Sequence, residues 1–106
     1  MSADPSHLVQ ILLPKEAGNG EPIGKDWFEN FLKELTDRFG GATSFLRSPG
    51  QGLWQAGAGT ERDSIAVVEV MAEGLDRAFW RSLREQLERE LSQHEIVIRA
   101  QEITRL

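Results

Sequence analysis

The chain has 106 residues, 40% of them hydrophobic and 27% charged, the size and balance of one folded domain spanning 1–106 rather than of a disordered or membrane-embedded polypeptide. With no cysteine, it excludes disulfides, thiolate chemistry, iron–sulfur clusters and cysteine-ligated zinc. The net charge of −5 opposes a phosphate backbone, which argues against nucleic acid as a partner.

Residues 1–6 read as a flexible lead. Met1–Pro5 lacks the basic and apolar regions of a signal peptide, and the apolar run around Ile11–Leu13 is too short to span a bilayer. A cytoplasmic location with no membrane contact is the default expectation. The first strand is predicted over His7–Pro14, a leucine- and β-branched-rich run closed by proline, followed by a turn-rich loop over Lys15–Gly24. From Lys25 to Phe39, Trp27, Phe28, Phe31, Leu32, Leu35 and Phe39 recur at three- and four-residue steps and predict an amphipathic helix. Asp26 is its candidate N-cap, Glu29–Lys33 and Glu34–Arg38 are candidate surface pairs, and Gly40-Gly41 ends it.

Ala42–Arg47 has strand character, continued through a break to Trp54, and Gln55–Asp63 reads as a hairpin loop of small residues. Ser64–Met71 is the strongest strand signal in the chain. A second helix is predicted from about Leu75 to Gln93, with Phe79, Trp80, Leu83, Leu87 and Leu91 as its stripe. Arg81–Glu85, Arg84–Glu88 and Glu85–Arg89 are its outer pairs, and Glu95–Ile103 forms the last strand. The order β-α-β-β-α-β predicts an α+β, ferredoxin-like fold. Its four-stranded antiparallel sheet would have the order 4-1-3-2, with both helices on one face.

Alternation then sorts the side chains, because neighbours along a strand point to opposite faces. Assigning the purely apolar sets (Val9, Ile11, Leu13; Ala66, Val68, Val70; Ile96, Ile98, Ala100) to the helix side leaves Gln10, Arg47, Glu69 and Arg99 on the open face. There they form a polar row among Leu8, Leu12, Phe45, Ile65, Val67, Met71, Val97 and Ile103, with Arg47 and Glu69 expected to pair. So large an apolar patch marks a binding surface. One reading is a homodimer packed face to face. The other is a pocket for a small organic ligand, with Arg47 or Arg99 holding an anion, Glu69 as base or acceptor, and His7 and Trp54 at the rim. Neither reading calls for a cofactor, and His7 and His94 are too far apart in sequence to predict a metal site.

The stretch Glu34–Met71, with Leu35-Thr-Asp-Arg-Phe-Gly-Gly-Ala-Thr43, Gly52-Leu-Trp54 and Ser64-Ile-Ala-Val-Val-Glu-Val-Met71, resembles a group of small bacterial ferredoxin-like domains of unknown function. The resemblance implies the fold and carries no activity. In the wider set of dimeric ferredoxin-like proteins, which includes cofactor-free monooxygenases and lactone isomerases, the open face forms a dimer interface or a small-molecule pocket. RNA-binding relatives of that fold stack bases on aromatic residues of the central strands, and the central strands here have none.

Overall fold

The structure, a computed structural model, describes residues 6–40, 43–47 and 65–106. In chain order the elements are β1 (Ser6–Pro14), α1 (Lys25–Phe39), β2 (Thr43–Arg47), β3 (Ile65–Ala72), α2 (Arg77–Glu90) and β4 (Val97–Ile103). The strands form one antiparallel sheet in the order β2-β3-β1-β4, so β1 and β3 are central and β2 and β4 are the edges. The central pair carries apolar runs with no proline in their interiors, as fits strands that must satisfy hydrogen bonds on both sides. Pro14 stands at the end of β1, where a missing N–H costs least.

Both helices pack on the same sheet face. Val9, Ile11 and Leu13 of β1 meet Ala66, Val68 and Val70 of β3, covered by Phe31 and Leu35 of α1 and by Trp80 and Leu87 of α2, with Leu91 and Ile96 just beyond α2. The helices are joined to each other by aromatics: Phe39 stacks on Trp80 with centroids 5.1 Å apart, and Phe79 meets both rings edge-on. The Arg38 guanidinium lies 4.0 Å from the Phe79 centroid, closing this cluster with a cation–π contact.

Helix ends depart from the sequence reading for local reasons. Asp26 is not the N-cap of α1; Gly24 holds that position with no side-chain bond, and Asp26 sits in the first turn, where its charge faces the positive end of the helix. The C-terminus stops at Gly40, whose φ of 86° turns the chain left-handed and returns its N–H to the Thr36 carbonyl. The second helix begins at Arg77 rather than near Leu75, because the Asp76 carboxylate accepts the Phe79 N–H at 3.1 Å. It ends at Glu90 rather than Gln93, and Ser92 follows with a positive φ of 55°. There the β1–α1 loop docks: Gly18 donates its N–H to the Leu91 carbonyl at 2.9 Å, and Gln93 Nε2 donates to the Glu16 carbonyl.

The last strand starts at Val97 instead of Glu95, since the Ile96 N–H is taken by the Glu88 carboxylate at 3.0 Å. Glu88 also accepts from Arg84 Nη1 at 3.0 Å, so one side chain ties α2 to the entry of β4. Surface pairing on α1 is shifted as well: Lys25–Glu29 and Lys33–Asp37 form in place of Glu29–Lys33 and Glu34–Arg38. The continuation of β2 toward Trp54 and the 55–63 loop lie outside the described residues. The described residues establish the coarser class, α+β, in place of the ferredoxin-like assignment.

Candidate interaction site on the open sheet face

Register decides which polar side chains of the open face meet. Gln10 on β1 lies opposite Glu69 on β3 and, on its other side, opposite Arg99 on β4, so the three stand in one line across the sheet. Gln10 Nε2 donates to Glu69 Oε2 at 2.7 Å, and Arg99 Nε donates to Gln10 Oε1 at 2.8 Å. The carboxamide thus has one workable orientation: its NH2 faces the carboxylate and its oxygen faces the guanidinium. Bonds to charged groups are the stronger kind, and each partner fixes the rotamer of the next.

The other sequence candidates are not gathered here. Arg47 pairs with Ile65, whereas Glu69 pairs with Thr43, four residues away along β3, or about 13 Å at strand rise. The expected Arg47–Glu69 pair is therefore corrected to Gln10–Glu69. His7 lies in the same alternating set as Val9 and Ile11, so it belongs to the helix face, opposite the row. Its Nδ1 is a buried atom with no hydrogen-bond partner among the described residues. Trp54 lies outside the described residues. Of the residues expected at a small-molecule pocket, this face brings Glu69 and Arg99 together through Gln10 and sets Arg47 and His7 apart from them.

The apolar flanks also differ from expectation in one respect. Met71 and Val97, diagonal to each other across the polar row, are 50% and 43% exposed, but Val67 on the same face is only 1% exposed and stands outside the main core cluster. Leu8, Leu12, Ile65 and Ile103 are half-buried. Among the described side chains the accessible part of the face is narrower than alternation implies: the Glu69–Gln10–Arg99 row with Met71 on one side and Val97 on the other.

Chemically, the row is an ion pair bridged by an amide, suited to recognition. Among the described residues, no group of three histidine, cysteine or acidic side chains has the arrangement to hold a metal ion. No helix among them is long and apolar enough to cross a membrane. Comparison with protein-family models, with curated proteins and with solved structures finds no match to this chain. The functional reading consequently rests on the site itself.

Proposed function

We propose that the chain is a small interaction domain that forms a homodimer through the open sheet face. The observation that carries this reading is the polarity of the row: Arg99 stands on one side of Gln10 and Glu69 on the other. Consider a two-fold axis running between two such faces, parallel to β1 and passing over Gln10. It inverts the order across the strands and keeps the height along them, so Arg99 of one copy lies over Glu69 of the other, twice. The exposed apolar side chains Met71 and Val97 flank the row on its two sides and are covered together with it when the faces meet. A row with two like charges at its ends would repel itself under that symmetry; this one is self-complementary.

The test is solution mass by light scattering across a concentration series, with circular dichroism as the folding control. The wild type is expected to be a dimer, and Met71→Lys combined with Val97→Lys a folded monomer. Arg99→Glu should weaken association at least about tenfold by opposing like charges, and Arg99→Glu with Glu69→Arg should restore it. A monomeric wild type at high concentration, or a double-lysine variant that remains dimeric, would refute the proposal.

A further inference from the structure

On the helix side of the sheet a shallow groove of about 280 Å³ runs between α2 and the edge strand β4. Its floor is apolar, made by Val9 and Ile98 with the flanks of Leu75 and Trp80. Its wall is basic: Arg77, Arg81 and Arg84 follow one another along α2 at intervals that return to the same helix face. Arg84 is held by Glu88, but Arg77 and Arg81 are exposed and make no ion pair among the described residues. In a chain of net charge −5, this is a local reversal of sign.

The groove borders an open hydrogen-bonding edge. Among the described residues the sheet ends at β4, which pairs there only with β1, so one side of its seven residues has no strand partner among them for its N–H and C=O groups. β4 contains no proline, so each of its residues keeps a backbone N–H to offer. We infer that β4 and the arginine wall of α2 together receive an extended acidic peptide, which adds to the sheet as a fifth strand. Backbone hydrogen bonds to β4 hold the peptide, and alternate side chains project toward α2. Carboxylates at every second position of an extended peptide repeat at about 6.7 Å. Arg77 and Arg81, four residues apart, are separated by about 6 Å along the helix axis, close to that repeat.

Two other occupants fit less well. A compact organic anion would use the arginines but leave the β4 edge unpaired, and the groove is small and open for such a ligand. A second copy paired β4 to β4 about a two-fold axis would bring one arginine wall toward the other, like charge to like charge. An acidic strand satisfies both the edge and the wall.

The probe is a fluorescein-labelled octapeptide of alternating glutamate and valine, titrated with the full chain and read by fluorescence anisotropy. Binding is expected, and Arg77→Glu with Arg81→Glu should weaken it at least about tenfold while leaving the thermal midpoint near that of the wild type, since both side chains are exposed. The same peptide N-methylated at every second residue, which cannot complete a strand ladder, should fail to bind. Equal affinity of the methylated peptide would show a sequence-blind charge interaction and overturn the inference. So would affinity unchanged by the double arginine reversal, an alternating lysine–valine peptide binding as well, or no binding of the glutamate peptide at millimolar concentration. The double reversal leaves the open face untouched, so its effect on peptide binding is read separately from the dimer.

Discussion

Replacing Gln10 with glutamate keeps the shape of the polar row and changes one charge, which makes it the sharpest probe of the arrangement. The amide nitrogen that now donates to Glu69 at 2.7 Å becomes an oxygen, so two carboxylates face each other at hydrogen-bond distance. Two negative charges with centres about 5 Å apart repel by about 3 kcal/mol at an effective dielectric of 20. Arg99, at 2.8 Å on the other side but exposed and so more strongly screened, offsets roughly half of this, leaving a net destabilisation of about 1–2 kcal/mol at neutral pH.

The sign with pH follows from proton binding. Repulsion raises the pKa of the carboxyl pair in the folded state above its unfolded value, so the folded variant holds more protons than the unfolded one across that interval. Stability therefore falls as pH rises from about 4 toward 7, and the penalty is fully developed above the raised folded value. Urea unfolding of wild type and Gln10→Glu at pH 4 and pH 7 measures this as a difference of differences. If the variant is destabilised equally at both values, or not at all, Glu69 and residue 10 are not within hydrogen-bond reach and the row as described is wrong.

Two further changes test the framework that carries the site. The Glu88 carboxyl is held below the usual range, first by the Ile96 backbone N–H and then, against some opposing desolvation, by Arg84. Such a group contributes stability above its unfolded pKa and loses it as pH falls through the folded value. Glu88→Gln should consequently flatten the acid limb of the stability–pH curve, measured by thermal melts between pH 3 and pH 7. A Cβ added at Gly18 would fall on the Ser92 carbonyl oxygen, a backbone atom with little room to retreat, so Gly18→Ala should destabilise by about 1–3 kcal/mol in urea melts. Gly20→Ala, which meets no atom but sits at φ 90°, isolates the separate cost of left-handed backbone.

Much of this molecule is written in short-range periodicity. The two-residue alternation of Leu8–Leu13 and of Ile65–Val70 is enough to place Gln10 and Glu69 on the side away from the apolar sets, and the three- and four-residue steps of Phe31, Leu35, Trp80 and Leu87 mark the faces that cover the other side. These signals are local, because each residue's face follows from its neighbours. Helix ends were less legible, since both Asp26 and Asp76 have the chemistry of a cap and only the chain path shows which is used.

Which residues stand opposite one another is a different kind of fact. Register depends on how far one strand slides along the next, and no property of a single strand reports it. The pairings Gln10–Glu69, Gln10–Arg99 and Arg47–Ile65 turned a loose set of candidates into one bridged ion pair and removed Arg47 from it. The same holds for Val67, whose alternation placed it on the open face while the fold left it 1% exposed, and for the arginine wall, which the helix sequence records as solvated charge. Only the packing of α2 beside the edge of β4 gives Arg77 and Arg81 a groove to face. The sequence determined the faces of the elements; the tertiary structure decided the neighbours across them, because contacts between distant residues follow from how the whole chain packs.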